Sequence, residues 1–176
     1  MKIIISPSKT QKITKIMGFD FKSAIYKDKT DYLVNLMKKF KKEEIKKIMK
    51  TSDKLTNEIY NNYKAFLDEK LGHAAASYTG IAFRSLDIKE FSKKEVEYME
   101  KHLVILSALY GVLTPLTGIK PYRLDMTMSI SKKNSLYEFW QESINEYFEE
   151  EEMIINLASK EFSKMKSQIA EADYSD

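Results

Sequence analysis

The chain of 176 residues is 43% hydrophobic and 31% charged with a formal net charge of +3, which fits one globular domain with a sizeable core and not a disordered chain. It contains no cysteine, so disulfides, thiolate metal sites and cysteine nucleophiles are excluded together. No apolar run reaches the roughly 20 residues of a membrane helix, and the run at Ile3–Ile5 before Ser6-Pro7 is too short for a signal-peptide core, so a cytoplasmic protein with no membrane partner is expected.

The charge is uneven. Residues 1–70 carry 17 Lys against 9 acids, whereas residues 71–176 carry 12 Lys and Arg against 17 acids. A basic half attracts polyanions, although solvated helix faces give the same count. Of the 29 cations only Arg84 and Arg123 are arginine. The guanidinium fork grips phosphate or carboxylate bidentately, which an ammonium does not; a buried structural arginine needs the same fork.

In chain order, "KIII" at 2–5 reads as a buried strand ended by Ser6-Pro7. From Asp31 to Met49 apolar residues recur at helical spacing, with a break near 40–43, so two helices are expected to meet there. Thr51-Ser52-Asp53 supplies cap residues for a further helix with Leu55, Ile59, Tyr63 and Phe66 on one stripe. The intervening tight turn gathers Lys46, Lys47, Lys50 and Lys54. "HAAASYTGIAFRSLD" has no clear assignment. "FSKKEVEYMEKHL" is a well-marked helix, because Ser92 and Glu95 form a capping box and Phe91 and Val96 a hydrophobic staple. "LVIL" at 103–106 is a second buried strand, and "LYEFWQESINEYF", with Ser135 and Glu138 as another capping box, is an amphipathic helix. Its Trp140 reads as core. "MIIN" at 153–156 gives a third strand. The pattern predicts a mixed α/β (α+β) fold, a single domain with a central mixed sheet flanked by helices.

The strands end in Ser6-Pro-Ser-Lys9, Ser107 and Asn156-Leu-Ala-Ser159, and sites in open α/β sheets lie at the carboxyl ends of strands. "SPSK" matches the Ser-x-x-Lys pattern of penicillin-binding enzymes, but the partner Ser-Asp-Asn and Lys-Thr-Gly motifs are absent. No glycine-rich phosphate loop or Gly-x-Ser-x-Gly elbow exists. His73 and His102 lack metal-ligand spacing and read as structural, so neither a metal nor a cofactor is expected. In "GIKPYRLDM", Pro121 biases Lys120 toward extended geometry. Alternation then places Lys120 and Tyr122 on one face and Arg123 and Asp125 on the other, where they pair. A loop pinned by an Arg–Asp bridge and a ligand-binding strap both fit this pattern.

"IIISPSKT", "TSDKL", "YTG", "LSALYGVLTPLTGIKPYRLDM", "SLYEFW" and "INLASKEF" together resemble, in order and over essentially the whole chain, the signature blocks of the bacterial YaaA family associated with peroxide stress. The resemblance implies a cytosolic protein that binds double-stranded DNA and limits damage from peroxide and free iron. It also implies a basic cleft and a helix-hairpin-helix-like element, here placed at 41–66, with Lys46, Lys47, Lys50 and Lys54 on phosphate. Added to the strand-end residues Ser6, Lys9, Ser107 and Asn156, the matched blocks place Thr79, Gly80, Arg84, Tyr110, Lys120, Tyr122 and Arg123 in the cleft. "SPSK", "YTGIAFR" and "ALYGVLTP…IKPY" look also like motifs of archaeosine synthase and related 7-deazaguanine enzymes, whose fold is similar to uracil-DNA glycosylases. That likeness implies glycosylase-like elements, a base or nucleotide ligand, and an enzymatic alternative in which Lys9, Lys120, Tyr122 and Arg123 are the catalytic candidates. Family members are longer, so the chain is expected to be C-terminally short, with an exposed sheet edge that favours self-association and an oligomeric state left open.

Overall fold

A computed structural model of the chain describes residues 1–128 and 135–165. Strand β1 (Lys2–Ile5) is followed by helices α1 (Lys27–Lys39), α2 (Lys42–Met49) and α3 (Asp53–Lys64). Strand β2 (Gly72–His73), short helices α4 (Ala74–Ser77) and α5 (Ile81–Leu86), a 3-10 turn at Ile88–Glu90 and helix α6 (Lys93–His102) come next. Strands β3 (Leu103–Ser107), β4 (Gly111–Leu113) and β5 (Gly118–Ile119), helix α7 (Leu136–Tyr147), strand β6 (Ile154–Asn156) and helix α8 (Lys160–Ser163) complete the order. The tail from Lys166, on which the expectation of a shortened chain rested, and Asn134 lie outside the described residues.

The three strands expected from the sequence lie side by side in one four-stranded sheet of order β4-β3-β1-β6. β1 pairs in parallel with β3 on one side, Ile4 opposite Val104, and with β6 on the other, Ile3 opposite Ile155. All five residues of β3 are buried, as a strand covered on both faces requires, which explains its unbroken apolar run. Both capping boxes form: Ser92 Oγ accepts from Glu95 N and Ser135 Oγ from Glu138 N. The helical region before residue 50 divides as expected, except that α1 begins at Lys27. The fold is thus the mixed α/β architecture that the pattern predicts.

What the pattern missed in this sheet is β4. The chain reverses after β3 and returns antiparallel to it, Leu106 opposite Val112. Gly111 makes the reversal at φ +72°, a conformation that side-chain-bearing residues rarely adopt. A Cβ at Gly111 would lie 2.6 Å from Trp140 Cζ3. Trp140 has no accessible surface, and its Nε1 donates to Ala108 O at 2.9 Å. Turn and indole lock each other.

A second anchor holds the segment that follows β1. Gln11 bridges to Tyr78 and Lys22 to Thr117. His73 joins them: its Nδ1 accepts from Ile16 N at 2.8 Å, and its Nε2 lies 3.3 Å from Asp20 O. This pattern demands the neutral ring with the proton on Nε2. Burial lowers the His73 pKa below its ordinary value of 6.5. His102, by contrast, sits at the surface with Nδ1 3.0 Å from Met1 O.

Two outcomes are expected. Gly111→Ala combines left-handed strain with overpacking of the indole and should lose about 2–4 kcal/mol in urea unfolding. His73 binds its proton less readily folded than unfolded, so stability is fully retained above its ordinary value of 6.5 and is lost as pH falls through and below it. His73→Gln, whose amide can still accept from Ile16, should flatten that pH dependence.

Candidate functional site

Ser6 continues β1 and Asn156 ends β6, so both stand at the carboxyl edge of adjacent parallel strands. Ser6 Oγ accepts from Ser159 N at 2.8 Å, and Asn156 Oδ1 accepts from Ala158 N at 3.1 Å, folding the two strand exits over each other. Beside them opens a cleft of about 270 Å3, lined on one side by Ser6, Ser8 and Lys9 and on the other by Arg123, Asp125 and Glu161. Burial alternates along 122–126: Tyr122, Leu124 and Met126 enter the core while Arg123 and Asp125 face the cleft. Arg123 and Asp125 therefore share a face, as alternation predicts, at 3.9 Å between Nη2 and Oδ2. Lys9 Nζ approaches the same oxygen more closely, at 3.5 Å. Asp125 thus bridges two cations, and neither is fully neutralised. Arg123 Nε is buried and has no hydrogen-bond partner among the described residues.

Behind the cleft lies a web of buried hydroxyls. Ser107 Oγ accepts from Leu109 N at 3.3 Å and Tyr110 N at 3.1 Å, leaving its own proton for Tyr122 Oη at 2.7 Å. Tyr122 Oη is also 2.7 Å from Tyr78 Oη. Tyr63 donates to Arg123 O at 3.0 Å, and Tyr110 Oη accepts from Lys120 N at 3.0 Å. Burial pushes Tyr122 up to about 12 and raises Tyr63, Tyr78 and Tyr110 as well. The web is neutral at physiological pH. It positions the 120–125 strap and takes up no proton.

The cleft residues expected from the sequence therefore divide. Ser6, Lys9, Tyr122 and Arg123 line this cleft. Ser107 and Tyr110 support it from below. Lys120 points elsewhere: its ammonium donates to Phe66 O and Leu67 O, both at 2.7 Å, and lies over the Phe66 ring. Thr79 and Arg84 line a second cleft, of about 390 Å3. Thr79 Oγ1 is 2.7 Å from Thr10 Oγ1, and Gly80 packs on Ser8, 3.0 Å from its Oγ to a virtual Cβ. Loop 8–14 is the wall shared by the two clefts. Among the described residues no cluster of three His, Asp or Glu is placed to hold a metal ion, and no helix is long and apolar enough to cross a membrane.

The family profile described as peroxide stress protein YaaA matches residues 1–174. The chain belongs to the peroxide stress protein YaaA family. It is 43% identical over 164 residues to a UPF0246 protein of Finegoldia magna, a match that covers 93% of this chain and 65% of that relative. It is 38% identical over 172 residues to a UPF0246 protein of Fusobacterium nucleatum, covering 94% of this chain and 69% of the relative. A UPF0246 protein of Ligilactobacillus salivarius is 38% identical over 169 residues, with 93% and 68% covered. The chain spans about two thirds of the length of these curated relatives.

For this YaaA-family chain, sequence reasoning passed over two residues that shape the first cleft. Gln11 Oε1 accepts from Tyr122 N at 3.1 Å, and Glu161 Oε1 accepts from Met126 N at 3.0 Å. Both are polar residues in polar segments, and only the meeting of distant segments gives them a role. Glu161 alone carried a clue, since it adjoins the "NLAS" strand exit.

Tyr122→Phe strands the hydroxyls of Ser107 and Tyr78 in the core and should lose about 1–3 kcal/mol in urea unfolding. Adding Tyr78→Phe, which removes a stranded partner, should lose less than the sum of the single variants.

Proposed function

We propose that this YaaA-family chain binds double-stranded DNA in the cytoplasm through the α2–α3 unit, and that this association limits damage from peroxide and free iron. The observation that carries the reading is the turn between these helices. Lys50 holds it at φ +50°, Ser52 caps α3 by accepting from Leu55 N at 3.4 Å, and Thr51 Oγ1 meets Thr56 Oγ1 at 2.8 Å. α2 and α3 are separated by Lys50, Thr51 and Ser52 alone. Lys47, Lys50 and Lys54 are exposed around the turn, and none has a carboxylate in ion-pair distance among the described residues. Lys46 is tied to Asp53 at 2.6 Å and contributes less free charge. A rigid short turn that presents unpaired lysines is what backbone-directed phosphate binding requires, because such contacts need position and charge but no base reading. Helix-hairpin-helix geometry is the natural description of this unit in the proposal.

The nucleobase-enzyme alternative draws less support. A nucleophilic lysine needs burial or a neighbouring cation. Lys9 is 60% exposed with a carboxylate as its nearest charge, and Lys120 is committed to two backbone carbonyls.

The test is fluorescence anisotropy with a short duplex over a salt series. Log affinity should fall linearly with log salt, and replacing Lys47, Lys50 and Lys54 with Gln should reduce the slope by up to about 0.9 per phosphate contact removed. An unchanged slope and affinity in a variant of unchanged melting temperature would reject this surface.

A further inference from the structure

The second cleft, which takes Thr79 and Arg84 from the expected cleft residues, has a lining that the DNA-binding reading does not use. Three cations from three separate segments stand on its rim: Lys12 from the loop after β1, Arg84 from α5 and Lys89 from the 3-10 turn. Asp87 is the one carboxylate in the lining. Among the described residues none of the three cations has a carboxylate within 4.0 Å, and none of their side chains makes a hydrogen bond. The three come from separate segments, so the fold and not the local sequence brings them to one concavity. The floor is apolar, made by Ala75, Ala76, Phe83 and Ile88, with Thr79 and Tyr78 at the side nearer the first cleft. Its volume of about 390 Å3 suits a small organic molecule.

A rim of excess positive charge over an apolar floor selects an amphiphilic anion. A bare phosphate leaves the floor wet, and a neutral ring system leaves the cations unmatched. Arg84 supplies the planar fork that binds phosphate oxygens in pairs, and the two lysines add point charges that favour a dianion over a monoanion. We propose that the second cleft binds a phosphate carried on a nucleoside-sized apolar body, either a free nucleoside monophosphate or the 5′-phosphate end of a nucleic-acid strand. The site uses loop 12–14 and residues 75–89, not the α2–α3 turn, and so stands independently of the duplex-binding reading.

Calorimetric titration with adenosine 5′-monophosphate, adenosine and inorganic phosphate tests it. The monophosphate should bind, with adenosine and inorganic phosphate each at least about tenfold weaker, and Arg84→Gln should weaken the monophosphate by about tenfold or more. Lys12→Gln and Lys89→Gln should each weaken it by a smaller factor. Lys93→Gln, a charge change on α6 outside the lining, is the control and should leave binding unchanged. Arg84 is exposed, so an unchanged melting temperature should confirm that the variant folds. A 5′-phosphorylated trinucleotide that binds more tightly than the monophosphate, and loses that advantage without its phosphate, assigns the strand end; equal or weaker binding assigns the free nucleotide. No binding of the monophosphate, binding indifferent to Arg84→Gln, or binding lost instead on Arg123→Gln would overturn the proposal. Duplex affinity in the Lys47, Lys50 and Lys54 variant reads out the other surface separately.

Discussion

The Tyr122 hydroxyl has to be hydrogen-bonded, because Tyr122 is buried and an unmatched polar group in the core is costly. Its partners come from two other parts of the chain: Ser107 at the exit of β3 and Tyr78 at the end of α4. Meeting this requirement fixes where the 120–125 strap crosses the carboxyl edge of the sheet. It also fixes which of the strap's residues remain outside. With Tyr122, Leu124 and Met126 in the core, Arg123 and Asp125 have only the cleft to face. The polar face of the first cleft is in this sense a by-product of a buried phenol.

The same bond joins two concavities. Tyr122 lines the first cleft and Tyr78 the second, and their oxygens touch at 2.7 Å. Loop 8–14 closes the partition from above, with Ser8 and Lys9 on one side and Lys12 and Thr14 on the other. Gly80 permits the close approach, since a side chain there would press on Ser8. The glycine in the "YTG" block is thus explained by packing between loop 8–14 and α5, whatever either cleft binds.

How much of this was legible in the sequence depended on how local the cause was. The capping boxes at Ser92 and Ser135 and the apolar runs of β1, β3 and β6 were readable, because a few neighbouring residues determine each. β4 was not, because its three residues "GVL" become a strand only when Gly111 turns the chain against β3 and Trp140 closes over the turn. Residue type at the site was readable too: Arg123 and Asp125 do share a face. Destination was harder. Lys120 carries the same charge as Lys9 but is drawn to the carbonyls of Phe66 and Leu67, which lie 54 and 53 residues away in sequence. No local pattern announces an acceptor pair so remote.

Charge shows the same limit most clearly. The excess of lysine in residues 1–70 suggested a basic half, and folding sets three of its 17 lysines against the acidic remainder. Lys2 pairs with Glu151, Lys22 with Glu100 and Lys9 with Asp125, each joining the basic segment to the acidic one. Such exposed or half-exposed pairs add little stability, and they offset only a small local part of the charge that the lysine count implies. The informative cations are those the fold leaves over. Two groups of them stand together, Lys47, Lys50 and Lys54 at the α2–α3 turn and Lys12, Arg84 and Lys89 on the second cleft. A convex turn that carries lysines suits an extended polyanion, whereas a concave apolar floor with an arginine fork suits a small one. Shape separates two functions that net charge merges.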